Sequence, residues 1–151
     1  DSRISRASVA TARHVEAIPG IVRSTLCWDE ASMLCHFSMR AGSRIPQHSH
    51  PAAQNGYLIR GRIRFITGEG SFEVGPGDGY LFAGQEPHGA EVLEDSEAIE
   101  CFAPALRLPR ELGKRLQDAG PHLPIEVGEV AGNLNLEASF LEAFTNRAGS
   151  K

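Results

Sequence analysis

His48 and His50 stand two residues apart in Gly42-Ser43-Arg44-Ile45-Pro46-Gln47-His48-Ser49-His50-Pro51-Ala52-Ala53-Gln54. On an extended segment residues i and i+2 project to one face, which two imidazoles need if they are to share a metal ion. Gln54 follows four residues after His50 and can bring its amide oxygen to the same ion if the chain turns after Pro51. A fourth candidate ligand, His88, follows the turn-forming cluster Gly75-Pro76-Gly77-Asp78-Gly79 and the apolar Tyr80-Leu81-Phe82. Three neutral imidazoles and an amide leave the charge of a divalent cation uncancelled by its ligands, which favours Lewis-acid chemistry or capture of an anionic substrate. Such donors suit nickel, zinc, iron, manganese or copper, so redox chemistry is permitted without being demanded.

A single histidine on a strand is more often a surface or hydrogen-bonded core residue than a ligand. The doublet together with His88 reverses that expectation, whereas His14, His36 and His122 lack such partners and read as structural or solvent-exposed. Gly42, Gly61, Gly77 and Gly84 read as turn residues of any tight β-structure. Tyr57 and Phe102 read as barrel-filling aromatics, and Trp28 as core with a sugar-pocket floor as its other reading.

The elements that must position these groups are strands. From about residue 18 to residue 104 short runs of β-branched and aromatic residues are punctuated by Gly, Pro and Asp, as in compact all-β barrels. The expected strands, about eight in number, are Ile21 to Trp28, Met33 to Met39, Gln54 to Arg60, Arg62 to Thr67, Ser71 to Val74, Gly79 to Phe82, Gly89 to Leu93 and Ala98 to Phe102. Alternation in Arg62-Ile63-Arg64-Phe65-Ile66 turns Ile63 and Phe65 inward and the arginines outward. After Pro104 the period becomes helical. Leu108, Leu112 and Leu116 recur every fourth residue between Pro109 and Gly120, and a second stripe of Leu136, Phe140 and Phe144 follows Asn135. The expected organisation is a barrel with an N-terminal arm over 1–104 and a helical extension over 105–151, packed on the barrel or on a partner subunit.

Composition excludes several classes. At 151 residues, with 41% hydrophobic and 23% charged, the chain fits one water-soluble domain. A net charge of −4 without any run of Lys and Arg argues against nucleic acid as a partner. Cys27, Cys35 and Cys101 are odd in number and lack CxxC spacing, which argues against a disulfide framework and fits a reducing cytoplasm. No apolar stretch suited to a membrane span or signal peptide occurs at the N-terminus, so no membrane is expected.

The combined pattern resembles the two motifs of the cupin superfamily, Gly-x5-His-x-His-x3,4-Glu-x6-Gly and Gly-x5-Pro-x-Gly-x2-His-x3-Asn. The first falls on Gly42, His48, His50, Gln54 and Gly61, and the second on Gly77 and His88. Gln54 replaces the usual Glu, Ala83 and Gln85 the usual Pro and Gly, and Val92 the usual Asn. The wording His-Ser-His-Pro-x-x-Gln-x-Gly-Tyr, from His48 to Tyr57, is similar to KdgF-type cupins of pectin and alginate breakdown, as are Pro87-His88-Gly89-Ala90-Glu91 and Phe102-Ala103-Pro104. The resemblance implies a cupin-type double-stranded β-helix, a jelly-roll barrel, with one divalent metal ion on His48, His50, Gln54 and His88. It also implies ring-opening tautomerisation of a 4,5-unsaturated monouronate to its linear 4-deoxy-5-keto isomer. An Asp-x-Phe-x-Pro-x-Arg-like pattern on the family's last strand falls on Glu100, Phe102 and Pro104, which makes Glu100 the candidate for proton transfer and Phe102 a substrate contact. Leu106 holds the arginine's place, so Arg107 and Arg60 are the alternatives for binding a substrate carboxylate. Glu100 has a plainer reading, as an exposed acidic residue of an edge strand.

Three functions follow. A metal-dependent isomerase of a small sugar acid predicts activity independent of oxygen. A cupin dioxygenase acting on an aromatic or enolic compound predicts oxygen consumption. A non-catalytic module predicts binding of a small ligand without turnover. A homodimer is expected in each case, because apolar helices appended to a barrel need a surface to cover.

Overall fold

Long strands that change partners midway give this chain its shape, as seen in a computed structural model that describes residues 4–104. The two expected helices and Arg107 lie outside the described residues. The strands run in the order β1 (His14–Ile18), β2 (Ile21–Trp28), β3 (Met33–Met39), β4 (Arg44–His48), β5 (Ala53–Thr67), β6 (Gly70–Val74), β7 (Gly79–Phe82) and β8 (His88–Ala103). All pairings are antiparallel.

β5 and β8 pair with each other along almost their whole length. The C-terminal half of β8 also pairs with β3, which continues to β2 and β1, while β7 lies on the first residues of β5. At the other end, β4 pairs with the start of β8 and β6 with the end of β5. The long pair thus serves two groups of strands, and the jelly roll closes around a core headed by Phe37, Phe102, Ile21, Leu58 and Ile63.

The bend between the halves has a local cause. Register shifts fall between Leu58 and Arg60, Arg60 and Arg62, and Arg62 and Ile63, and such bulges bend and twist a strand. Gly61 sits among them at φ 98°, where an L-side chain is strained, and a Cβ there would collide with Ser96 Oγ. Ser96, buried, accepts the Arg62 N–H at 3.0 Å and donates to the Glu94 carbonyl at 2.6 Å.

The barrel agrees with the sequence reading in class, but the strands are divided differently. Gln54 to Arg60 and Arg62 to Thr67 are one strand of 15 residues, because Gly61 bends it without ending it. Gly89 to Leu93 and Ala98 to Phe102 are likewise one strand of 16 residues. β1 and β4 have no counterpart among the expected strands. β1 buries only Ala17, and β4 is a polar edge strand whose Pro46 is tolerated because β8 is its one partner.

Ile63 and Phe65 are buried as alternation demands, and Arg62 and Arg64 meet Glu73 outside at 2.8 and 3.1 Å. Two aromatics depart from expectation. Tyr57 is 51% exposed, since it has the opposite parity to inward Gln54, Gly56 and Leu58. Trp28 is 65% exposed at the end of β2 beside the turn to β3, so it is neither core nor part of a pocket floor.

Candidate metal centre

His48 ends β4 and His88 begins β8, and the two are directly paired across the strands. His50 lies in the turn that follows β4, and Gln54 is the second residue of β5. The expected turn after Pro51 therefore carries Gln54 back toward the histidines. All four are buried, and nitrogen atoms of His48, His50 and His88 lie within 4.8 Å of one another.

Each imidazole is held by its outer nitrogen. Nδ1 of His48 donates to the Pro46 carbonyl at 2.8 Å, that of His50 to the Ala52 carbonyl at 2.8 Å, and that of His88 to the Glu86 carbonyl at 2.7 Å. A carbonyl only accepts, so Nδ1 carries the proton in all three and Nε2 carries a lone pair in the neutral ring. Burial lowers the pKa of His48 and His50 and pushes that of His88 down to about 4, which keeps the rings neutral at pH 7. Phe82 stacks on the His88 ring with centroids 4.4 Å apart and 3° between planes, fixing its orientation.

The contacts of Gln54 test whether this cluster fits a cation. Its Oε1 lies 3.2 Å from His50 Nε2 and 3.0 Å from His88 Nε2. With the rings in the tautomer set by their backbone bonds, these are acceptors facing acceptors, a repulsive arrangement in a buried site unless a positive charge stands between them. The amide cannot relieve this by turning over, because its Nε2 donates to Glu100 Oε2 at 2.9 Å. The donor set therefore fits a divalent ion, as imidazole nitrogen and amide oxygen do for several metals.

Glu100 is 7% exposed, on a strand with partners on both sides, which removes the edge-strand reading. Burial raises its pKa, opposed by hydrogen bonds from Gln54 Nε2 and from Tyr80 OH, the latter 2.8 Å long. Tyr80 escaped the sequence reading, which saw only an apolar residue. Gly56 was its signal, since a glycine inside a strand marks a close approach. A Cβ on Gly56 would collide with the Tyr80 ring.

A cavity of about 430 Å³, counting solvent at its mouth, opens on this cluster. His48, Gln54, His88, Tyr80 and Glu100 form its polar part, and Phe37, Met39, Ile45, Ile63 and Phe65 its apolar wall. Phe102 is buried edge-on to His50, at 5.9 Å between centroids, and is not among the residues that line the cavity. Arg60 is exposed and pairs with Glu97 at 3.3 Å, away from the cavity. Among the described residues no Arg or Lys lines it.

An antiparallel jelly-roll barrel with a histidine cluster inside it defines the class, and sequence comparison names it. The profile of the cupin domain matches residues 35–102, so that stretch of the chain reads as a cupin domain. KdgF from Halomonas sp. is similar at 25% identity and TM-score 0.63, covering 67% of this chain and 94% of that one. An RmlC-like cupin from Shewanella frigidimarina aligns at 19% identity and TM-score 0.64, covering 71% of this chain and 95% of that one. The polyketide cyclase RemF from Streptomyces resistomycificus aligns at 16% identity and TM-score 0.57, covering 76% and 93%. No curated protein matches the sequence.

Proposed function

We propose that this cupin holds one divalent metal ion on His48, His50, Gln54 and His88 and isomerises a small enolisable sugar acid, of which a 4,5-unsaturated uronate is the leading example. One observation carries the reading: the Gln54 amide points its oxygen at His50 and His88 and its nitrogen at Glu100, joining a ligand cluster to a buried carboxylate. The resemblance of His48 to Tyr57 to KdgF-type cupins and the likeness to Halomonas KdgF support the substrate class.

When bound, the ion would supply a positive charge for the substrate's oxygens as negative charge develops on them. The protein's part is proton transfer and exclusion of water. Both hydrogen bonds to Glu100 fall on Oε2, and we assign Oε1 to the substrate. There it accepts the hemiacetal hydroxyl proton as the bond from anomeric carbon to ring oxygen breaks. It returns that proton to carbon as the released enolate becomes a ketone, so atoms and electrons balance without an oxidant. The apolar wall of Phe37, Met39 and Ile45 keeps water from the open-chain intermediate.

A second reading is favoured by that same wall. With no cationic side chain lining the cavity among the described residues, an aromatic or enolic compound fits as a substrate of dioxygenase chemistry. The deciding experiment uses protein purified without a metal-binding tag. Bound metal is quantified and loss of the 4,5-unsaturated galacturonate chromophore is followed in air and under argon, beside the double variant His48→Ala/His50→Ala. Metal-dependent conversion that ignores oxygen and is absent from the variant supports the isomerase. Metal binding with an untouched uronate removes the substrate assignment, and an oxygen requirement with an enolic substrate supports the second reading.

A further inference from the structure

We propose that Tyr80, Gly56 and Glu100 form a positioning device that fixes which end of the Gln54 amide faces the metal site; the inference rests on the metal-binding reading above. The sheet register brings the three residues into one row. Gly56 of β5 is paired with Tyr80 of β7 on one side and with Glu100 of β8 on the other. Adjacent strands are about 4.8 Å apart, so Tyr80 and Glu100 stand two strand spacings apart, and their side chains meet only by passing over the central strand. Gly56 leaves that passage open, since a Cβ there would strike Cε2 and Cζ of the Tyr80 ring. The result is the 2.8 Å bond from Tyr80 OH to Glu100 Oε2.

A glutamine amide is nearly symmetric in shape, but only one end can ligate a cation. Its oxygen offers lone pairs, while its NH2 offers two hydrogens and repels positive charge. Something must choose between two orientations half a turn apart. Glu100 Oε2 is an acceptor, so it selects the NH2 and leaves Oε1 to His50 and His88. Tyr80, a buried hydroxyl that burial and the neighbouring Glu100 keep protonated, donates to the same oxygen and holds the carboxylate in place. Hydrogen bonds behind a ligand commonly govern affinity for the metal. Tyr80 and Gly56 are thus positioning residues that act through Glu100, while Glu100 both positions Gln54 through Oε2 and faces the substrate.

Cobalt(II) serves as the probe, because its visible absorption reports the ligand set independently of turnover. Full-length wild type, Tyr80→Phe, Glu100→Gln and Glu100→Ala are titrated against a competing chelator, and the absorption of each loaded protein is recorded. Thermal unfolding without metal reports folding separately. Tyr80→Phe retains the ring and its packing, so it is the variant expected to fold regardless. The expected result is cobalt binding weakened several-fold in Tyr80→Phe and about 10- to 100-fold in Glu100→Ala, each with an altered spectrum. Glu100→Gln, whose carbonyl oxygen can accept from both donors, is expected to restore near wild-type affinity and spectrum while losing isomerase activity. Unchanged affinity and spectrum in Tyr80→Phe would overturn the role of Tyr80. A loss in Glu100→Gln as large as in Glu100→Ala would overturn orientation in favour of charge. Failure of wild type to bind cobalt defeats the metal-centre reading itself and the inference with it. Cobalt binding without uronate turnover leaves the inference standing and defeats only the substrate.

Discussion

The main-chain N–H of Gln85 donates to the carbonyl of His50 at 2.7 Å, tying the loop before β8 to the turn after β4 and so setting the two halves of the histidine cluster against each other. Gln85 makes this bond at φ 68°, in the left-handed region, at the position where the cupin motif ordinarily has glycine. Left-handed backbone costs a residue with a side chain roughly 1–2 kcal/mol, partly offset by the greater freedom of glycine in the unfolded chain. Gln85→Gly is therefore expected to stabilise the protein by about 0.5–1 kcal/mol. A higher midpoint in thermal or urea unfolding would establish it, and a lower one would mean that the Gln85 side chain has a role of its own.

Gly61 lies under the opposite constraint. Its φ of 98° and the collision of any Cβ with Ser96 act together at the bend shared by β5 and β8. Gly61→Ala is expected to cost more than about 2 kcal/mol, a value reserved for strain combined with overpacking. Urea titration read by far-UV circular dichroism measures it, and a change under about 0.5 kcal/mol would show that the bend relaxes freely.

Metal should stabilise the fold in proportion to its concentration, because the ligand atoms converge only in the folded chain. Adding a divalent ion at about 100 times its dissociation constant is expected to contribute roughly 2.7 kcal/mol, and a chelator should reverse the gain. His88→Ala should melt at one temperature with or without the ion. A metal-induced rise in that variant equal to wild type would place the ion elsewhere.

Acid should weaken the outer face through Glu97. Its carboxyl is held below the ordinary value of 4.5, first by the hydrogen bond from His36 at 2.6 Å and then by Arg60. A depressed folded-state pKa contributes stability that is present above 4.5 and is lost as pH falls through the lower value of the folded state. The advantage of wild type over Glu97→Gln in thermal midpoint should thus shrink as pH drops below 4.5, and it should be small at high salt because the carboxylate is partly exposed. An advantage that grows toward acid would reverse the sign of the argument.

A homodimer, with the extension over 105–151 packed on the barrel or on the partner subunit, remains our proposal for the assembly. Leu34, Tyr57 and Leu81 are exposed on the outer face of the sheet, where apolar side chains favour being covered. Light scattering coupled to size exclusion is expected to give twice the 16.3 kDa chain mass, and a clean monomer would remove the proposal.

The candidate ligand cluster was legible in the sequence because its geometry is local. His48 and His50 share a face by strand parity, and Pro51 turns the chain toward Gln54, so only His88 needed the motif to join them. Tyr80 was not readable, since Tyr80 and Glu100 are separated by 20 residues and meet only across Gly56. Arg60 illustrates the opposite failure. Proximity to the motif strand suggested a substrate contact, but bulges beside Gly61 decide which way that part of β5 faces, and Arg60 pairs with Glu97 instead. Glu100 read equally well as an exposed edge residue until its pairing with Cys35 of β3 on one side and Gly56 of β5 on the other made it central.

By itself the sequence determined the class of fold and singled out the candidate ligands, because alternation, turn residues and the spacing of histidines are properties of neighbouring residues along a strand. Tertiary structure alone decided which end of the Gln54 amide faces the histidines and what holds Glu100. Those depend on the register of three strands that meet in space from distant parts of the chain, and hydrogen bonds across that register carry no periodicity for a sequence to display.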